Sequence, residues 1–530
     1  MRATGSTASM KSYTGKKNIA EALPEILYDE SRFTAGVPDA VYFPQSAQDV
    51  RDVVVDAHAS GTPVAIIGGK TGIAGGCVPI DGCIALCLSD MNRILGVSRD
   101  SDGRLELCCE PGVTLDSVSR FLANPAAWPH AVEGALLPTP DRHFYAPDPT
   151  ETSAQIGGTV ATNASGARSF RFGPTRAHIT GLRVVLADGD ALDIRRGSCR
   201  EKNGVFAIET EQGRPVSVPR PSYRSPSVKN AGGYFSAPGM DFVDLFIGSE
   251  GTLGIFTQCT LRLMPRPRFV AGLSFFPDRN SAFGAASFFR NVPRISAIEY
   301  FDHTALAFLE ASRPELPFEL PDFPDARKNG VYWEYMESDA EPFEKRMDAW
   351  ENALAGFGSS FEHTWSGFEP RDKYLLKTVR HAVPEAINAA VARFKRECRD
   401  IRKISSDTAL PAESFERAFD RYMERIAQSR LEHAVFGHLG DFHLHVNLVP
   451  RSKAELDDAI GVYEEMMRVT VAAGGSVSAE HGIGKLKTRY LRMMYGDAGV
   501  ADMAAVKSAL DPLWLLNRET LLEYRPRSIT

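Results

Sequence analysis

Between Pro63 and Gly76 a run of small and β-branched residues, Val64-Ala65-Ile66-Ile67, passes into Gly68-Gly69-Lys70-Thr71-Gly72-Ile73-Ala74-Gly75-Gly76, with five glycines in nine residues. A strand that ends in so permissive a turn can bring its backbone very close to something else. Glycine tolerates positive φ, and successive N–H groups of such a loop can converge on an anion. The loop lacks the G-x-G-x-x-G spacing and the Walker pattern. Taken alone it serves equally as a pyrophosphate cradle or as a tight turn. Glycines gather again at 157–158, 166, 232–233 and 248–254. From Pro38 to about Arg268, stretches such as Val64–Ile67 and Leu182–Leu186 alternate with helical patterns such as 47–57, an α/β reading.

At 530 residues the chain exceeds a single core and divides into two to four units, by a prior of roughly 150 residues each. Its net charge of −7 gives no electrostatic reason to expect nucleic acid or an anionic membrane as partner. No apolar run reaches the ~18 residues of a membrane span. The first eighteen residues lack a secretory core and are Ser/Thr-rich and basic. They are read as the start of a disordered tail over residues 1–34, with an organelle transit peptide as the alternative. The eight cysteines contain no C-x-x-C pair, which fits reduced thiols in a cytoplasmic protein.

The second half carries the strongest chemical signal, Gly437-His438-Leu439-Gly440-Asp441-Phe442-His443-Leu444-His445-Val446-Asn447. His443, His445 and Asn447 alternate with Leu444, Val446 and Leu448, the pattern of a strand with one polar face. Three of only twelve histidines fall within eight residues, which favours a metal site over isolated structural histidines. A second segment, Ser476-Val477-Ser478-Ala479-Glu480-His481-Gly482-Ile483-Gly484, sets a carboxylate beside a histidine after a helix expected over 453–473. Further helices are expected around 340–355 and 382–397, and Leu263–Arg268 reads as a boundary.

Three more segments join the first glycine loop: Pro147-Asp148-Pro149-Thr150, Ile156 to Gly166, and Gly248-Ser249-Glu250-Gly251-Thr252-Leu253-Gly254-Ile255. Together they resemble the FAD-binding fold of the vanillyl-alcohol oxidase and p-cresol methylhydroxylase family. The branch resembled contains D-lactate dehydrogenase, the glycolate oxidase flavin subunit and D-2-hydroxyglutarate dehydrogenase. The resemblance implies an α+β protein: a two-subdomain FAD-binding domain over 35–268, a substrate cap with a metal site over 269–485, and helices over 486–530 returning to the FAD domain. It implies that Gly68, Gly69, Lys70, Thr71 and Gly72 bind the pyrophosphate, and that Pro147 and Asp148 lie along the flavin. Gly157, Gly158, Thr162, Asn163, Gly166 and Ala167 would face the isoalloxazine and ribityl chain, and Glu250, Gly251, Gly254 and Ile255 the adenine side. No histidine stands at the attachment position, so non-covalent FAD is expected.

In the second half the resemblance implies His438, His445 and Glu480 as metal ligands, Asn447 as a substrate contact, His481 as general base, and Arg380 as the anchor for a substrate carboxylate. Neutral imidazoles with one carboxylate suit zinc better than magnesium or calcium. The activity implied is oxidation of a small D-2-hydroxy acid to its 2-oxo acid, with an unspecified electron acceptor and a homodimer among the expected assemblies. The same fold also serves alkyl-dihydroxyacetonephosphate synthases and could serve a non-catalytic flavin subunit. Several positions depart from the branch: Ile67 for arginine, Lys70 for glycine, Phe442-His443 for Gly-Asn, and Ser405 and Ser406 where a lysine is usual.

Overall fold

Residues 10–124, 143–324 and 328–524 are described in the computed structural model, and three main sheets organise them. The first runs in the order Lys11–Thr14, Ala40–Phe43, Ile84–Cys87, Val64–Ile67, with the last three strands parallel. Parallel neighbours need a crossover, and the helix Ala47–Ser60 supplies it. Ser46 starts that helix by accepting from the Asp49 amide, and Gly61 at φ 68° ends it. Val50, Val53, Val54 and Ala57 form its buried stripe.

Residues 1–9 of the expected tail lie outside the described residues, and from Lys11 onward the expectation does not hold. Lys11–Thr14 pairs antiparallel with Ala40–Phe43, and Ile19 and Ile26 are buried in one cluster with Val41 and Ile67. The strand covers an edge that would otherwise present unpaired amides. At four residues it is too short for periodicity to reveal it.

The second sheet is antiparallel, in the order Ile94–Arg99, Leu105–Cys109, Ile255–Arg262, Ile179–Val185, Ala191–Arg195. The third belongs to the second half: Thr364–Gly367, Arg268–Phe276, Asn329–Glu337, Ile295–Phe301, His433–His438, His443–Leu448 and Ile404–Ser405, with Thr408–Ala409 also on His443–Leu448. Its long helix is Pro370–Phe394, which starts well before the expected 382. Leu376, Val379, Val383 and Ile387 continue one buried stripe through Pro384, so packing overrides the proline. The helix Lys453–Ala472 falls where the periodicity places it, while Met347–Gly356 starts seven residues later than the expected 340, after a short 3-10 turn at Phe343–Arg346.

After the helix Thr488–Leu510, kinked at Gly496, the chain returns to the first sheet. Leu516 bridges Val64, Asn517 Oδ1 accepts from the Ile66 amide at 2.7 Å, and buried Lys507 donates to the carbonyls of Thr252 and Leu516.

Asp302 starts the helix His303–Ala311, its side chain accepting from the Ala305 amide at 2.7 Å. Burial pushes its carboxyl up to about 7 from 3.8, against the pull of the backbone amides. Below pH 3.8 the group is neutral folded or unfolded; as pH rises through 7 the folded form carries a buried charge and stability is lost. Asn keeps the cap without the charge. Asp302→Asn is therefore expected to raise the melting temperature at pH 8, by up to roughly 4 kcal/mol of stability, with the gain fading towards pH 4. Equal melting shifts at both pH values would refute the assignment.

Candidate active site

The histidine cluster is made by a hairpin. Strands His433–His438 and His443–Leu448 are joined by Leu439–Phe442, and the register sets His438 opposite His443 and Phe436 opposite His445. Opposed residues share a sheet face, so His438, His443 and His445 crowd together, with ring centroids 4.5 to 5.9 Å apart. Space for them depends on Gly437 at φ 137°, where a Cβ would lie 3.1 Å from the His445 ring. Phe442 takes the left-handed φ of 53° that closes the turn. Its ring packs on Phe415 at 4.9 Å and lies 3.9 Å from the Arg290 guanidinium, which offsets the cost of that conformation.

Glu480 and His481 arrive on a loop that fully buried Asp407 organises. Asp407 accepts from the amides of Glu480 at 3.1 Å and His481 at 3.0 Å, from Ser478 Oγ at 2.7 Å and from Lys487 Nζ at 3.0 Å. Burial opposes its charge, yet His481 and Lys487 hold the carboxyl well below the usual range. Glu480 Oε1 lies 3.4 Å from Nε2 of both His438 and His445, while Oε2 is 2.6 Å from Lys229 Nζ and 3.3 Å from Ser165 Oγ.

The other ring nitrogens have partners too. His438 Nδ1 pairs with Glu299 Oε1 at 2.7 Å, and His445 Nδ1 with the Ser406 carbonyl at 3.1 Å. These contacts turn both Nε2 atoms toward Glu480. Burial and Lys229 push the His438 pKa down, but Glu480 and Glu299 outweigh them and raise it to about 9. Such a nest of carboxylates around imidazoles stabilises a cation, whether a proton or a metal. His438, His443, His445 and Glu480 offer ligand atoms all within 4.8 Å of one another, so the donor set fits a divalent ion.

His481 stacks on His445, with ring centroids 5.3 Å apart at 13°. Its Nδ1 lies 3.4 Å from Asp407, and burial lowers its pKa to about 4, so it is neutral at pH 7. Arg380 is no solvated helix charge. Its Nε donates to Glu299, the same carboxylate that holds His438, and its guanidinium covers Tyr332 at 4.7 Å. Asn447 is fully buried beside His445, with its Oδ1 unpaired.

A cavity of about 310 Å³ reaches this cluster from the glycine loops. Residues 68–72, 157–158, Thr162, Glu250, Gly251 and Gly254 line it together with Glu480 and His481. Lys70 adopts φ 58°, the left-handed conformation its glycine-rich position demands, and Ile67 is fully buried beneath the loop. Pro147, Asp148, Asn163, Gly166, Ala167 and Ile255 stand one layer back, outside the lining. Asp148 accepts from the Arg168 amide, and its carbonyl would lie 2.1 Å from a Cβ on Gly166. Asn163 ties the Arg176 amide to the Asn230 carbonyl. Pro149 and Thr150 reach the cavity instead.

Sequence reasoning passed over Lys229, Glu299 and Asp407 as site residues. One signal was available for Glu299: it is the lone charged residue in the mostly apolar run Ile295-Ser296-Ala297-Ile298-Glu299-Tyr300-Phe301.

The fold is shared with solved structures of distant sequence. A 4-ethylphenol oxidase from Gulosibacter chungangensis superposes with a TM-score of 0.64 at 16% identity, covering 97% of this chain and 95% of that one. Residues 38–135 and 139–195 match the FAD binding domain family, and residues 265–521 the C-terminal domain of FAD linked oxidases. A D-2-hydroxyglutarate dehydrogenase from Xanthomonas citri pv. viticola is 29% identical over 92% of this chain and 89% of its own length. The glycolate oxidase subunit GlcD from Bacillus subtilis is 27% identical over 92% and 90%. The chain thus carries the FAD binding domain and the C-terminal domain of FAD linked oxidases, and relatives similar over most of its length are named D-2-hydroxyglutarate dehydrogenase, D-lactate dehydrogenase and glycolate oxidase subunit.

Proposed function

We propose that this chain is an FAD-dependent oxidoreductase that converts a small D-2-hydroxy acid of the lactate, glycolate or 2-hydroxyglutarate type to its 2-oxo acid. The observation that carries the reading is the shared cavity: the glycine loops, Glu480 and His481 line one space. When bound, non-covalent FAD would supply the hydride acceptor, and a divalent metal held by His438, His445 and Glu480, best suited to zinc, would polarise the substrate hydroxyl.

The chain's own residues do the rest. His481, neutral at pH 7 and at the cavity wall, takes the hydroxyl proton. Asp407 fixes the loop that carries it. Arg380 keeps both Nη groups free of hydrogen bonds to described residues, so it can meet a substrate carboxylate while its Nε stays on Glu299. Asn447 offers its unpaired Oδ1 from behind His445. No helix among the described residues is long and apolar enough to cross a membrane. A cytoplasmic location and a homodimer complete the reading.

Anaerobic mixing with a panel of D- and L-2-hydroxy acids tests it. The flavin absorbance is expected to bleach with at least one D-enantiomer and to persist with the matching L-enantiomer. A flavin that no hydroxy acid on the panel reduces would defeat the proposal.

A further inference from the structure

His443 is the most conspicuous histidine that the reading above leaves unused. It stands where the branch usually carries asparagine, it is 0% exposed, and neither ring nitrogen has a hydrogen-bond partner. A buried imidazole with both nitrogens unpaired is costly, and its surroundings show what would satisfy it. Nδ1 faces Glu480 Oε2 at 4.0 Å, and Nε2 lies 3.2 Å from Asp407 Oδ1, close but off hydrogen-bond geometry. The neighbouring rings follow one plan. Each turns one nitrogen toward Glu480 and the other toward a fixed acceptor: Glu299 for His438 and the Ser406 carbonyl for His445. Asp407 completes the plan for His443. A carboxylate or carbonyl behind an imidazole fixes the tautomer and raises the basicity of the nitrogen that meets a metal.

Resting on the reading that His438, His445 and Glu480 hold a divalent ion, we infer that His443 Nδ1 is a fourth protein ligand, with Asp407 as its supporting acceptor. The centre is then a three-histidine, one-glutamate site. Three neutral nitrogens bias it toward later first-row ions and against magnesium and calcium, which favour oxygen. Four protein ligands would leave two positions on a six-coordinate ion, the number a chelating substrate would need.

The test uses the full-length flavoprotein, stripped of metal and reloaded with Co(II) alone. Exchangeable imidazole N–H protons shifted by the paramagnetic ion are counted by NMR, and affinity is read by competition with a chelator. Three shifted N–H signals in the unaltered protein are expected. His443→Asn should show two, still bind one Co(II) per chain, and bind it at least about tenfold more weakly. Two signals in the unaltered protein would overturn the inference whether or not the variant folds, as would unchanged affinity in a folded His443→Asn. If His438→Ala and Glu480→Gln both retain full Co(II) binding, the underlying metal reading fails instead, and the inference falls with it.

Discussion

His481→Ala is expected to slow flavin reduction by the best D-2-hydroxy acid roughly 10²–10⁴-fold while leaving FAD and metal content unchanged. Removing a general base costs the step that moves the proton and little else. The His481 ring stacks on His445 and approaches Asp407 at 3.4 Å, but its loop is also held by backbone amides on Asp407 and Glu250. Its neutral state at pH 7 follows from burial, so the loss should persist across neutral pH. Single-turnover stopped-flow reduction, with metal analysis of the same samples, gives the answer. Reduction within threefold of the unaltered rate would remove His481 from the chemistry.

His445→Ala is expected to lower metal content from about one per chain towards none, and turnover by roughly 10³-fold, with FAD still bound. The metal reading makes His445 a ligand from the middle of a strand, its ring held in place by the Ser406 carbonyl. It belongs to the second-half sheet, so the glycine loops that line the cavity keep their own supports. Elemental analysis and the flavin spectrum of the purified variant separate the effects. Loss of FAD together with metal would mean that the two sites do not stand apart in the way proposed.

Much of this site was legible because its signals are local. The alternation of His443, His445 and Asn447 is a property of one strand, and the glycine loops announce themselves wherever they fold. The supports were not legible. Glu299 meets His438 across 139 positions of sequence, Lys229 meets Glu480 across 251, and Asp407 holds a loop more than seventy residues away. No periodicity encodes such meetings; they follow from sheet order and hairpin register. Arg380 was legible as a functional arginine but not as a partner of Glu299, because that contact joins a helix to a strand beneath it. The strand Lys11–Thr14 escaped for a different reason, being a few residues whose only role is to cover an edge.

The closing contacts of the first glycine loop also bear on how the protein is made. Gly76 is held through its carbonyl by Lys485 at 3.2 Å and Thr520 at 3.0 Å, Ile66 by Asn517, and the Glu250 carboxylate by the amides of Ile483 and Gly484. All these partners lie in the last fifty residues described. A ribosome delivers residues 64–76 long before it delivers them, so the early half waits with its cofactor wall incomplete. Contacts of such separation form late and slowly. The wall of the cavity is therefore complete only once residues 483–520 have docked against the early half.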